Sequence, residues 1–453
     1  MRRVHHWQNY LLLAASYFFY GYWDWRFLLL LWFTTGVDYF IARLLDSISD
    51  GHLRRQTLLV SILINLGVLG FFKYFNFFIG STSRLLVALG VPVGLPVLSV
   101  VLPLGISFYT FQSLGYVIDV YRHKISASKN LVEYSLFVAF FPQLVAGPIE
   151  RAGDLIPQIQ SPRVINFEQW RRGIAIFIWG VWLKTYVADG LAPLVESVFQ
   201  LNGGPSTATA TWIGVGGFVF QVYADFFGYS LMARGLANLL GFKLSTNFDF
   251  PLFSRNISQF WRRWHITLSN WFREYVYFPL GGSRRGHRRT ATNLIITMVL
   301  VGFWHGPHWT YIVWGLINGL GLTVHRWWQS KIPSAQSRLG QYISSLISAS
   351  LTALFFALSL IIFRAESFTL AAKIFSQLWH GPWYIASQDA AHLLIATSRI
   401  VPVLVIDGWL KLKNQIDGYA DWAWWVRPIA AATAVYLILF YGRQSSNFFY
   451  FIF

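Results

Sequence analysis

Apolar stretches about as long as a bilayer is thick recur along the whole chain. They fall at about 8–23, 26–43, 57–78, 98–119, 131–147, 173–190, 211–240, 292–305, 309–325, 341–363, 393–410 and 428–441. A helix needs about 20 apolar residues to cross the hydrocarbon core. A chain built this way is expected to be all-α, a polytopic membrane protein of about 10–12 helices. Leu102-Pro103-Leu104-Gly105 and Phe141-Pro142 interrupt two of the stretches. Broken helices at membrane depth are tolerated only against protein or around a water-filled cavity. The fold therefore includes short, re-entrant helices and an internal cavity. No Gly/Ser-rich or Pro-rich linker divides the chain, so residues 1–453 read as a single membrane domain.

Composition removes most other classes. Charged residues make up 12% of the 453, and hydrophobic ones 55%. Soluble domains carry about 25% charged residues. Disordered chains and disulfide scaffolds are excluded, and with no cysteine so are thiolate nucleophiles and thiolate metal sites. Arg2 and Arg3 precede the first apolar stretch, but Trp and Tyr stand where a signal peptide has small residues, so the first helix is expected to stay. No internal repeat is visible, which weakens a secondary-transporter reading.

The net charge of +17 would suggest nucleic acid in a soluble protein. Here it fits basic cytoplasmic loops instead. Arg2 and Arg3 lie on one side, and two helices return the chain to Arg43, Arg54 and Arg55. Residues 79–97 hold only Arg84, and 191–210 hold no Lys or Arg; both read as external. Arg122, His123 and Lys124 mark another return, and 242–290 carry the densest arginine cluster. Each basic loop falls on the same side.

Three local patterns carry chemistry. At 3.6 residues per turn, Trp261, Trp264, His265, Leu268, Phe272 and Tyr275 share a face, with Arg262, Ser269 and Arg273 on another. This predicts a basic amphipathic helix at the cytoplasmic interface, its arginines meeting lipid phosphates or those of a soluble donor. The basic turn Gly281–Arg289 lacks the Gly-Lys-Ser/Thr of a phosphate loop and reads as an orientation signal. In Gly302-Phe303-Trp304-His305-Gly306-Pro307-His308-Trp309, His305 ends an apolar run. An ionisable residue in a membrane segment is a functional candidate, and neutral imidazole can take a proton from a hydroxyl or thiol. The alternative is a histidine that caps a helix between belt tryptophans. Trp379-His380-Gly381-Pro382-Trp383 nearly repeats the pattern but follows an amphipathic stretch, so His380 reads as a surface residue. Gln112, Asp119, Gln143, Gln221, Asp225, Asn247 and Asp249 are scattered in or near apolar stretches, without metal-ligand spacing. There is no Gly-x-Ser-x-Gly elbow.

Several ordered runs resemble the membrane-bound O-acyltransferase family. They are Gln221-Val-Tyr-Ala-Asp225-Phe-Phe-Gly228, Asn247-Phe-Asp-Phe-Pro251, Phe260-Trp-Arg-Arg-Trp-His265, Tyr275-Val-Tyr-Phe-Pro-Leu-Gly-Gly282 and Trp304-His305-Gly306. Leu102–Gln112, Phe141-Pro142-Gln143, Ala146-Gly147-Pro148-Ile149, Phe363-Arg364-Ala365 and Phe449-Tyr450-Phe451 add to them. Within the family the runs are similar to the bacterial branch of alginate O-acetylation membrane proteins. The resemblance implies a ring of helices around a membrane-crossing tunnel, with His305 as the family's invariant histidine and His265 as its second. It implies a cytoplasmic acyl donor, acetyl-CoA, and no bound cofactor or metal. It also implies an extracytoplasmic SGNH-type acetyltransferase as partner, a multi-pass place in the inner (cytoplasmic) membrane, and no nucleic acid. The acceptor would be a polysaccharide such as alginate, cellulose or peptidoglycan. By their charge, Arg262, Arg263, Arg273, Arg284 and Arg285 are expected to meet either the donor's phosphates or lipid headgroups. Against the family, the first membrane segment before residues 8–43 is expected to be missing or shortened.

Two other readings remain at this point. One is D-alanyl transfer to teichoic acid, which shares the histidine region, although Pro279-Leu280-Gly281-Gly282 leans toward acetyl transfer. The other is a non-enzymatic transporter of a polar substrate, which would leave a thioester intact. The orientation is testable because the chain has no cysteine. A Ser283→Cys variant should react with a membrane-impermeant maleimide only once the cytoplasmic face is opened. Labelling in intact cells would reverse the topology.

Overall fold

The computed structural model describes residues 2–91, 94–163, 166–200, 207–329, 331 and 337–443. Among these, every regular element is a helix. Five helical segments are long and apolar enough to cross a membrane: Arg26–Ser47, Gly51–Ala88, Phe167–Phe199, Leu339–Arg364 and Asp389–Leu412. The protein is thus an all-α, multi-pass membrane protein. Its chain forms two compact units, one of residues up to Trp170 with Leu236–Ser245, the other of Arg171–Gly235 with everything from Thr246 on.

The first unit opens with α1 (Arg2–Asp24), α2 (Arg26–Ser47), α3 (Gly51–Leu69) and α4 (Phe75–Ala88), the last two joined by a π-helical turn. Asp50 starts α3 by accepting the Leu53 N–H at 2.6 Å, which satisfies one of the donors a first turn leaves open. Between α2 and α3 the Asp38 carboxylate accepts from Ser61 Oγ at 2.7 Å and Asn65 Nδ2 at 2.8 Å. Ser61 and Asn65 stand one turn apart on the same face of α3, so both reach it.

Four shorter helices follow: α5 (Ile106–Tyr121), α6 (Leu131–Ala139), α7 (Phe141–Leu144) and α8 (Ala152–Gln160). The interruptions read from the sequence are the places where these helices break. Gly105 sits before α5 at φ +71°, and a Cβ there would lie 2.4 Å from the Leu144 carbonyl oxygen. Between α6 and α7, Phe140 leaves the helical region and Pro142 enters the first turn of α7. That break frees the Phe137 carbonyl and the Phe141 N–H. Gln112 and Gln143 donate to the carbonyl at 2.6 and 2.9 Å, and the N–H donates to Ser16 Oγ at 3.2 Å. Two of the scattered glutamines therefore replace the helix bonds that the break removes.

In the second unit α9 (Phe167–Trp182) passes through a π-helical turn, Leu183–Ala188, into α10 (Asp189–Phe199), followed by α11 (Ala208–Leu239). Part of the loop expected at 191–210 is thus helix, and its residues 201–206 lie outside the described residues. Lys184 in the π-helical turn lies 2.7 Å from Asp189 and 2.6 Å from Asp225, so Asp225 on α11 is ion-paired. The remaining helices are α12 (Ile257–Arg263), α13 (Ile266–Phe272), α14 (Gly286–His305), α15 (Trp309–Gln329), α16 (Arg338–Arg364), α17 (Phe368–His380), α18 (Ser387–Leu412) and α19 (Val426–Tyr441). Tyr223 on α11 donates to Asp407 on α18 at 2.7 Å, and Arg234 grips Asp417 through two bonds of 2.8 and 2.7 Å. The helices outnumber the expected ten to twelve because several apolar stretches are cut by breaks. The run Phe449-Tyr450-Phe451 lies outside the described residues.

The Gly105 turn gives a direct test. An L-residue held at positive φ costs about 1–3 kcal/mol, and a Cβ at Gly105 also meets backbone. Gly105→Ala should lower the thermal midpoint in detergent. Gly36→Ala, in a helix and with nothing within 4 Å, should hold or raise it. Equal midpoints would remove the constraint assigned to Gly105.

Candidate active site

His305 is the last residue of α14. Gly306 follows in extended conformation, the His308 N–H closes a turn on the Gly306 carbonyl at 2.9 Å, and α15 begins at Trp309. The two helices meet backbone to backbone. A Cβ at Gly302 would lie 2.2 Å from the Tyr311 carbonyl oxygen, and one at Gly315 2.3 Å from that of Met298. Small residues allow this close approach in a membrane protein. It fixes the backbone beneath His305, whose side chain is only 7% exposed. Trp304, Trp314 and Phe363 surround the imidazole, with ring centroids 5.1, 5.3 and 5.2 Å away.

The single amphipathic helix predicted across Trp261–Tyr275 is instead two helices and a π-helical turn, Arg273–Tyr277. The chain breaks at Trp264, which is extended, and at His265, which is left-handed with φ +43°. A neighbouring segment takes over the lost backbone bonds. The Ile266 N–H donates to the Asn247 carbonyl at 2.9 Å, and Asp249 N–H to the Arg263 carbonyl at 3.0 Å. Thr267 Oγ1 donates to Asn247 Oδ1 at 2.7 Å, and Asn247 Nδ2 to Ser230 Oγ at 3.1 Å. The aromatic face does not lie against lipid: Trp261, Trp264, Leu268, Phe272 and Tyr275 are all buried in protein. Left-handed conformation in a non-glycine residue costs energy and clusters at functional sites.

The break carries His265 inward. Its side chain is 1% exposed, with Phe226 at 4.5 Å and Trp304 at 6.0 Å between ring centroids. Trp304 therefore touches both imidazoles. The structure brings together the two histidines singled out in the sequence, although 40 residues of chain, by their numbers, separate them. The arginines stay apart from this buried pair. Arg262, Arg273, Arg284 and Arg285 are exposed. Arg263 is half-buried and lies 3.6 Å from Asp249. His380 ends α17 and is exposed.

Sequence reading missed Trp314 and the place of Phe363. Trp314 sits inside α15 with no motif around it, and its only signal was one helical turn's offset from Tyr311 and Thr310, which are also buried. Phe363 stood within a family-like run, but nothing local tied it to His305. Among the described residues no three or more His, Cys, Asp or Glu are placed to hold a metal. The chemistry the arrangement offers is that of a buried imidazole within a wall of rings. It can exchange a proton with a hydroxyl or thiol, and the carbonyl end of α14 favours the positive charge this creates.

Known proteins are similar to this chain over much of its length. The profile of the membrane-bound O-acyltransferase family matches residues 123–370, which include both histidines. A probable alginate O-acetylase AlgI of Pseudomonas putida is 37% identical over 94% of this chain and 85% of its own length. A peptidoglycan O-acetyltransferase of Helicobacter pylori is 33% identical over 80% of this chain and 72% of its own. A teichoic acid D-alanyltransferase of Streptococcus thermophilus is 33% identical, but over 50% of this chain and 58% of its own length. With the profile on more than half of its residues, and with full-length similarity of this degree, the chain belongs to the membrane-bound O-acyltransferase family.

Proposed function

We propose that this protein takes an acetyl group from a cytoplasmic thioester, acetyl-CoA, and passes it across the membrane for O-acetylation of an extracytoplasmic polysaccharide. The observation that carries the reading is His305, buried at the end of α14 inside an aromatic wall, with His265 one indole away. The relatives similar over most of their length are named for acetyl transfer to alginate and peptidoglycan. D-alanyl transfer is the weaker reading, since that relative matches over half of this chain. The whole chain acts as one membrane domain in the inner membrane. An SGNH-type acetyltransferase outside the membrane finishes the transfer.

His305 acts as general base. Its neutral imidazole accepts the proton of an acceptor hydroxyl as that oxygen bonds to the thioester carbonyl carbon. Collapse breaks the C–S bond, and the imidazolium returns the proton to the departing thiolate. Ester and thiol result, with no net proton change. His265 shares Trp304 with His305 and serves the same step or holds the donor's thioester end. Positioned acid–base catalysis is worth roughly 10²–10⁴-fold. His305→Ala should lose transfer by that factor or more while the protein still inserts and folds. His380→Ala should transfer acetyl normally. Transfer by His305→Ala at near the normal rate would remove the histidine from the chemistry.

The donor's phosphates meet the exposed arginines first. Arg262, Arg273, Arg284 and Arg285 raise its local concentration by charge attraction, with half-buried Arg263 beside them. Exposed charges are screened over about 8 Å at physiological ionic strength. Replacing Arg284 and Arg285 by Gln should raise the KM for acetyl-CoA more than it lowers kcat, and the difference should shrink with added salt. An unchanged KM with altered membrane insertion would assign both residues to lipid headgroups.

A further inference from the structure

Two buried indole N–H groups, one in the wall around His305 and one packed against that wall, have no hydrogen-bond partner among the described residues. They are Nε1 of Trp314 and Nε1 of Trp261. Neither reaches the surface, since Trp314 is 2% and Trp261 8% exposed. Trp314 meets the His305 ring edge-on at 5.3 Å, and Trp261 meets Trp314 edge-on at 5.7 Å. The two residues come from different helices, α15 and α12.

A buried donor without a partner destabilises a fold, and native proteins keep few of them. Phenylalanine would fill much of the same space without that cost. Nε1 of Trp179, Trp212 and Trp422 also lacks a partner among the described residues, so what sets Trp314 and Trp261 apart is their place beside His305. An indole N–H donates only; it neither accepts a proton nor gives one up at neutral pH. What it can do is bind an oxygen lone pair. Acyl transfer beside His305 creates such an oxygen.

We infer that Trp314 and Trp261 form the oxyanion site of this enzyme, donating their indole N–H groups to the carbonyl oxygen of the acyl thioester. The inference rests on His305 as general base. As the acceptor hydroxyl gives its proton to His305, its oxygen bonds to the thioester carbon, and the carbonyl π pair moves onto the carbonyl oxygen. The indole donors hold that oxygen while it carries the charge. The pair then returns to re-form the carbonyl, the C–S bond breaks, and the thiolate leaves with the proton from the imidazolium. Donors fixed in a dry site stabilise such charge more than donors in water do.

Trp314→Phe and Trp261→Phe keep an aromatic ring and delete the N–H. With acetyl-CoA as the donor probe, Trp314→Phe should lower kcat by about 10²–10³-fold, the usual cost of one oxyanion donor. The donor KM should change little, and Trp261→Phe should act in the same direction. Because neither N–H is bonded within the resting protein, the thermal midpoints in detergent should stay the same or rise. A normal kcat in Trp314→Phe overturns the inference. So does a kcat loss that runs in parallel with a falling midpoint, because that pattern belongs to packing. His305→Ala in the same assay separates the two levels: an inactive His305→Ala beside a fully active Trp314→Phe removes the oxyanion assignment alone. An active His305→Ala removes the general-base reading beneath it.

Discussion

Wherever a helix stops inside the apolar part of this chain, it leaves N–H and C=O groups that lipid cannot solvate. At two breaks the structure meets that demand with partners from elsewhere in the chain. At the α6–α7 break the freed Phe137 carbonyl takes bonds from Gln112 and Gln143, and the freed Phe141 N–H goes to Ser16. At the α12–α13 break the Asn247–Asp249 segment supplies the partners. A continuous helix would need none of these groups. Each of the two is thus a position where ordinary helix geometry is given up and particular side chains or a neighbouring irregular segment hold the result.

The second of these breaks sets the place of His265. A straight helix through residues 257–272 would leave His265 on a face shared with Trp261 and Leu268, at a place set by the helix alone. Turning the chain at Trp264 and His265 places the imidazole against Phe226 and Trp304 instead. The left-handed backbone of His265 costs about 1–3 kcal/mol, and Asn247 offsets it with bonds to both Ile266 and Thr267. His305 is held by a different device, the direct contact of α14 and α15 backbones at Gly302 and Gly315. One histidine sits on a kink braced by side chains, and the other at the end of a helix clamped to its neighbour. Two independent supports converge on Trp304.

The parts that were legible in the sequence follow from patterns confined to a few neighbouring residues. Apolar length marks the helices, Pro103 with Gly105 and Phe141 with Pro142 mark the breaks, and Gly306-Pro307 marks the end of α14. His305 was legible because a titratable group stood beside such a stop. The kink at His265 was not, because the helical spacing of apolar residues runs on through it from Trp261 to Tyr275. Its cause lies at Asn247, whose interaction with Thr267 is a tertiary contact that no local period records. Trp314 was hidden for a similar reason. It lies on the buried face of an ordinary apolar helix, and only the fold shows that this face includes His305. Asp225, one of the polar residues scattered through the apolar stretches, is ion-paired with Lys184 of the π-helical turn, a partner 41 positions away by number that no local pattern marks.

The aromatic wall also constrains how charge can appear beside His305. In the proposed transfer a neutral imidazole, a neutral hydroxyl and a neutral thioester would combine into an imidazolium and an oxyanion, so that reaction would separate charge where the surrounding rings carry none. An uncompensated pair of this kind would be costly in a low-dielectric surround. At about 5 Å and an effective dielectric near 20, attraction between the two is worth only about 3 kcal/mol. Further stabilisation has to come from fixed dipoles. The carbonyl end of α14 ends at His305 and would face the positive partner, and the indole N–H groups of Trp314 and Trp261 are among the buried donors that would meet the negative one. Under that inference tryptophan would meet both requirements of the site, its ring excluding water while its N–H stabilises the charge that exclusion would otherwise forbid.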